Sequence, residues 1–175
     1  MDHARAEERG LLGLEARAVG AGLVSGFAAG LPMGFLLQFG TDLLPVLATI
    51  AGVSSVAVGW VVHLAIAAVY GALFAVIVAY PAVQGFIAEF GVREYTLLGI
   101  TYGITIAAVS ISILPFIFEL PWVANAAAEQ LALVSGPSFG GLVPAGVFAA
   151  GHVVYGAVLG AGYATVKERS PALAG

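Results

Sequence analysis

The sequence predicts an all-α integral membrane protein, a four-helix bundle built from two tandem helical-hairpin repeats. Three observations lead to this fold class: an apolar composition, four long apolar segments, and a residue pattern that two of the segments share. Of the 175 residues, 61% are hydrophobic and 9% are charged, whereas soluble domains carry about 25% charged residues. Water cannot solvate a surface so poor in charge, so we expect the protein's solvent to be the lipid bilayer.

Four apolar segments are each long enough to cross a bilayer, which takes about 20 residues. Apart from Arg17 near the start of the first segment, none of them contains Asp, Glu, Lys or Arg. Backbone polar groups inside hydrocarbon must be hydrogen-bonded within the protein, which makes these segments helices. We predict one transmembrane domain over residues 1–175, with spans at about 16–39, 55–80, 95–118 and 144–166.

The basic residues all fall on one side of this arrangement. They precede the first span, separate the second from the third, or follow the fourth: Arg5, Arg9, Arg17, Arg93, Lys167 and Arg169. Cytoplasmic connections are the ones that carry an excess of Lys and Arg. The sequence therefore predicts a multi-pass protein of the cell membrane with both termini in the cytoplasm.

Composition also excludes several classes of function. The formal net charge of −4 is the opposite of a nucleic-acid-binding surface, which is basic. The absence of cysteine excludes disulfides, thiolate catalysis and cysteine-ligated metal centres. No carboxylate lies inside a span, so acid–base catalysis in the membrane lacks its usual partners. We expect a protein that is not an enzyme.

The internal repeat is visible in the second and fourth spans. Both follow the pattern H-x3-[AG]-x3-G-x2-[FY]-A, at His63–Ala75 and at His152–Ala164. The first and third spans echo each other through glycines four residues apart, at Gly22–Gly26 and Gly99–Gly103. We interpret the chain as two hairpins related by an axis along the membrane normal.

The first span also carries a ridge of glycines at every fourth position, namely Gly22, Gly26, Gly30 and Gly34. Helices in lipid gain little from burying apolar side chains against each other and associate through close backbone approach at small residues. The ridge therefore predicts a helix–helix contact face.

The two intramembrane histidines are the main candidates for function, because ionisable residues inside a membrane are costly. Each is the ninth residue of its predicted span, roughly 12 Å below the helix end at 1.5 Å per residue. Two imidazoles that face each other across a bundle core have the arrangement of the two axial ligands of haem b. We predict a bis-histidine haem protein of electron transport that exchanges electrons with a quinol or an external carrier. The iron ligands would be His63 and His152, with Met33 as a possible replacement, and Gly30, Gly34 and Gly156 would make room for the macrocycle.

A second interpretation assigns the histidines a structural role. Neutral imidazole can hydrogen-bond a backbone carbonyl or a hydroxyl of a neighbouring helix, with candidates at Ser25, Thr101, Thr105 and Ser110. The protein would then be a cofactor-free accessory subunit, packed through its glycine faces against a larger membrane complex or another copy of itself. Metal binding without haem and lipid or quinone contacts stay open, whereas zinc lacks the three or four ligands that it needs.

From Gly22 to Ala164, the histidine pattern and the glycine ridge resemble a family of small four-span membrane proteins common in halophilic archaea. The resemblance implies the same four-helix fold and an archaeal source. Because that family has no assigned activity, it implies no substrate and no reaction.

Overall fold

The computed structural model describes residues 16–126 and 142–169. This part of the chain is helical and contains no strand, which confirms the predicted all-α class. Four of the described helices are long and apolar enough to cross a membrane, and the protein is a small multi-pass membrane protein. They are α1 (Ala16–Thr41), α3 (Val56–Ala79), α5 (Val92–Phe118) and α6 (Leu142–Arg169), with bounds within three residues of the predicted spans.

Shorter elements join the long helices. A short helix α2 (Leu43–Ala48) and a 3-10 turn (Thr49–Ala51) connect α1 to α3, and α4 (Pro81–Ile87) connects α3 to α5. Residues 121–126 are also helical. Three parts of the predicted 1–175 domain lie outside the described residues: 1–15, 127–141, which is most of the long connection between the third and fourth spans, and 170–175.

The four long helices pack against one another in the order α3, α1, α6 and α5. α1 lies between α3 and α6, and α6 in turn packs closely against α5. By contrast, α3 and α5 share few backbone contacts. Tyr102 of α5 bridges the gap, and its hydroxyl donates a hydrogen bond to the Tyr70 carbonyl of α3 (2.8 Å).

The glycine ridge of α1 packs against α3, as the sequence predicted. A Cβ atom at Gly22 would meet the carbonyl oxygen of Gly71, and one at Gly26 would lie 2.7 Å from the Gly71 Cα. Further along, Gly34 faces the ring of Trp60. The Trp60 indole also donates a hydrogen bond to the Gln38 amide oxygen (2.6 Å). Because the contacting atoms are mostly backbone, no larger side chain fits at this interface.

Glycines also hold α6 against α5. A Cβ atom at Gly99 would meet the Gly156 carbonyl oxygen, and one at Gly160 would meet the Tyr95 carbonyl oxygen. The Tyr95 hydroxyl accepts a hydrogen bond from Lys167 (3.1 Å), whose ammonium also lies over the Tyr95 ring. Both hairpins therefore close through small residues. The tandem repeat itself stays a prediction that these similar contacts support.

Helix α2 is an element that the sequence analysis did not predict. Asp42 adopts a left-handed backbone conformation (φ 50°), which Asp tolerates better than most residues, and turns the chain back over the bundle. The side chains of Leu43, Leu44 and Leu47 are buried there. Gly59 on α3 allows the contact, because a Cβ atom at that position would meet the Leu44 carbonyl oxygen.

The described basic residues lie at the opposite end of the bundle. The first turns of α1 and α5 contain Arg17 and Arg93, and the last turn of α6 contains Lys167 and Arg169. The antiparallel packing brings these three helix ends together. The distribution supports the cytoplasmic placement of this end, which stays a prediction.

Cysteine labelling tests that orientation, because the chain contains no cysteine of its own. Asp42 and Arg93 are both exposed and lie at opposite ends of the bundle. In intact cells we expect Asp42→Cys to react with a membrane-impermeant maleimide and Arg93→Cys to react only after permeabilisation. Labelling of Arg93→Cys without permeabilisation would show that the orientation is the reverse of the predicted one.

Candidate ligand site between two histidines

The packing that closes the bundle also buries both histidines. His63 lies on the face of α3 that carries Ala67 and Gly71 against α1. His152 lies on α6, where Gly103 of α5 packs against its backbone. Each histidine is only 4% exposed. Both side chains are therefore taken out of the lipid by the same close helix contacts.

His63 makes the hydrogen bond that a structural histidine would make. Its Nε2 lies 2.9 Å from the carbonyl oxygen of Gly30 on α1. A carbonyl oxygen only accepts, so Nε2 carries the proton in this bond. In a neutral imidazole the other nitrogen, Nδ1, is then a lone-pair acceptor.

His152 is held in the opposite way, by its own helix. Its Nδ1 lies 2.9 Å from the carbonyl oxygen of Phe148, one turn earlier. The Phe148 ring also packs on the imidazole, with centroids 4.3 Å apart. Here Nδ1 carries the proton, and Nε2 is the acceptor of the neutral ring.

The second nitrogen of each imidazole has no hydrogen-bond partner in the part of the chain that the structure describes. No side-chain nitrogen or oxygen among these residues is both fully buried and unpartnered. The free nitrogens therefore reach accessible space, and both rings line one cavity. Two imidazoles, each with one unbonded nitrogen, thus line the same mostly apolar cavity.

The cavity has a volume of about 140 Å³. Its wall is apolar apart from the two histidines, Tyr70, Tyr155 and Ser110. None of the described carboxylates or amines lines it. An engineered cavity of about 150 Å³ in a protein core accepts benzene, so this volume matches a single six-membered ring.

The cavity is closed on one side and open on another. At the end of the bundle where α1 leads to α3, Leu43 and Leu47 of α2 form part of the wall, and both are buried. Between α3 and α5, the lining residues Ile66 and Ile113 are 37% and 47% exposed. The cavity is therefore open sideways between these two helices, toward the surface that lipid covers.

The structure brings together only some of the predicted site residues. His63, His152 and Met33 line the cavity, and Gly30 contributes its carbonyl to His63. The three glycines predicted to make room for a macrocycle do not line it. Each faces a neighbouring helix: Gly30 contacts Ala67, Gly34 contacts Trp60, and Gly156 contacts Gly99. The predicted hydroxyl partners Ser25, Thr101, Thr105 and Ser110 bond neither histidine.

Two tyrosines of the site were missed by the sequence analysis. Tyr155 is fully buried and its hydroxyl donates to the Ala67 carbonyl (2.7 Å), joining α6 to α3. Tyr70 lines the cavity from α3. The signal was present, since Tyr155 follows His152 by three residues and Tyr70 follows His63 by seven, spacings that place residues on one helix face.

A metal centre held by protein side chains alone is not formed in the described residues, where no group of three or more His, Cys, Asp or Glu side chains converges.

Comparison with protein-family models, with characterised proteins and with solved structures finds no match to this chain. The resemblance to four-span proteins of halophilic archaea stays a prediction.

Proposed function

We propose that this chain is a small, non-enzymatic membrane subunit of electron transport that binds its redox group between His63 and His152. One observation carries the proposal: two buried imidazoles each keep an unbonded nitrogen, and both line the same cavity. Ionisable side chains inside a membrane mark functional sites by default. Two imidazoles at one apolar site need a stronger reason than packing, because apolar residues pack without a desolvation cost.

Haem b is the redox group that the sequence predicts, and the two histidines suit it unequally. The arrangement at His152 matches a metal ligand, because a backbone carbonyl holds one ring nitrogen and leaves the other free. At His63 the Nε2 atom is occupied by the Gly30 carbonyl, so ligation requires either Nδ1 or a rotated ring. A macrocycle of four pyrrole rings also exceeds a cavity of about 140 Å³. Haem binding therefore requires α3 and α5 to separate.

A cofactor-free accessory subunit is the second candidate, and the bond between His63 and Gly30 favours it. That bond joins α3 to α1, and interhelical hydrogen bonds in membranes contribute about 0.6 kcal/mol on average. The glycines offer such a subunit little surface for partners, since Gly22, Gly26, Gly99 and Gly156 already pack inside the chain. A partner would have to bind apolar side chains that otherwise face lipid.

Spectroscopy of the detergent-purified protein separates these candidates. If haem b is the redox group, we expect a Soret band and a reduced-minus-oxidised α-band that His63→Ala and His152→Ala each remove. His3→Ala is the matched control, since that histidine precedes the first span in the sequence. Protein that shows no visible band, takes up no haem on reconstitution and carries no other redox-active group is the accessory subunit.

A further inference from the structure

The direction of the two histidine hydrogen bonds determines what kind of molecule the cavity recognises. Both bonds place the ring proton on the nitrogen that faces a backbone carbonyl, at Gly30 for His63 and at Phe148 for His152. Among the described residues no carboxylate lines the cavity to stabilise a charged imidazolium, and an unpaired buried charge is costly. The neutral rings therefore present two acceptors and no donor, so the fitting ligand is one that donates hydrogen bonds.

The size and access of the cavity narrow the ligand further. A volume of about 140 Å³ holds one six-membered ring. The opening between Ile66 and Ile113 leads to the lipid-covered surface, whereas α2 covers the end of the bundle at Leu43 and Leu47. A ligand that arrives by this route dissolves in the membrane, and an apolar tail can stay in the lipid while the ring enters.

We propose that the cavity binds a lipid-soluble quinol, a hydroquinone ring with an apolar tail, whose hydroxyl groups donate hydrogen bonds to His63 Nδ1 and His152 Nε2. This inference rests on the proposed function and names its redox group. The Ser110 hydroxyl, which has no partner in the described structure, lies at the cavity wall on α5 and can bond a ring oxygen as well. The oxidised quinone lacks the two donors, so the site discriminates in favour of the reduced form.

Titration of the purified full-length protein with three matched probes tests the proposal. The probes are a benzohydroquinone with a short alkyl tail, the corresponding quinone, and the dimethyl ether of the hydroquinone. Isothermal calorimetry in detergent, with the reduced probe kept under argon, gives the three dissociation constants. We expect the hydroquinone to bind about tenfold more tightly than either of the others, since each lost hydrogen bond weakens binding several-fold.

Variants separate hydrogen bonding from partition into the detergent. His152→Leu removes one of the two bonds, so it should weaken hydroquinone binding about threefold and leave binding of the ether unchanged, which also shows that the variant is folded. Ile113→Trp should block the opening and weaken all three probes. Ile111→Trp, on the same helix but outside the cavity lining, should weaken none.

Four outcomes would contradict the inference. Equal affinity for the three probes, or no response to His152→Leu, shows that the ring is not recognised through its hydroxyl groups. A haem band that depends on His63 and His152 overturns the quinol and leaves the proposed electron-transport function standing. Protein that binds neither haem nor any probe overturns both.

Discussion

Gly26→Leu is expected to disrupt the packing of α1 against α3. It should lower the thermal stability of the protein in detergent more than any lipid-facing substitution does. A Cβ atom at position 26 would lie 2.5 Å from the Ala67 carbonyl oxygen and 2.7 Å from the Gly71 Cα. These are backbone atoms, which cannot rotate away. Overpacked cores lose about 1–3 kcal/mol when side chains can adjust, and here the helices must separate. Thermal unfolding followed by circular dichroism measures the loss.

Gly20→Leu is the matched control for this prediction. It introduces the same side chain into the same helix, at a glycine whose added Cβ atom would meet nothing within 4 Å. We expect its melting temperature to stay close to that of the unsubstituted protein. If both variants melt together, the glycine ridge is not the interface that holds α1 to α3.

Phe74→Ala is expected to be the most damaging truncation of a single side chain. Phe74 on α3 is 1% exposed, and its ring packs against Tyr102 of α5 (5.2 Å between centroids) and Tyr163 of α6 (5.7 Å). It thus joins three helices, two of which share few other contacts. Truncation of a buried Phe costs about 3–5 kcal/mol in soluble proteins. We expect the lower end, because lipid solvates the separated helices better than water would.

Phe116→Ala provides the comparison, since Phe116 is 71% exposed on α5 and contacts lipid whether or not the bundle is assembled. Chemical unfolding in mixed micelles should leave this variant nearly unchanged and shift the Phe74→Ala midpoint strongly. A similar shift for both would mean that Phe74 contributes only its apolar area and no specific packing between helices.

The four long helices were predictable to within three residues because the bilayer imposes a single strong requirement. Each segment between Ala16 and Arg169 that lacks charge over about 20 residues must satisfy its backbone internally, and the helix is the local way to do so. The glycine ridge was predictable for a related reason. Small residues at every fourth position form one face of a helix, so the spacing of Gly22 and Gly26 predicts that this face contacts another helix.

The connection after α1 was not predictable in the same way. Residues 43–48 read as a short apolar run, which fits a loop in the membrane surface as well as a helix folded back into the bundle. What decides is Gly59 on the next helix, whose missing side chain admits the Leu44 carbonyl. That contact joins positions on different elements, and no local pattern reveals it.

The candidate site, too, was predictable from the sequence only in part. The sequence by itself determined that two histidines are buried in the membrane within a bundle of four helices, because rare polar residues in long apolar helices have no other place to lie. Only the tertiary structure decided which nitrogen of each ring is free, since that depends on the carbonyls of Gly30 and Phe148. It also decided the size of the space between the rings. Helix packing is determined by the summed shapes of side chains that are distant in the chain, whereas helix formation in lipid is determined within each segment.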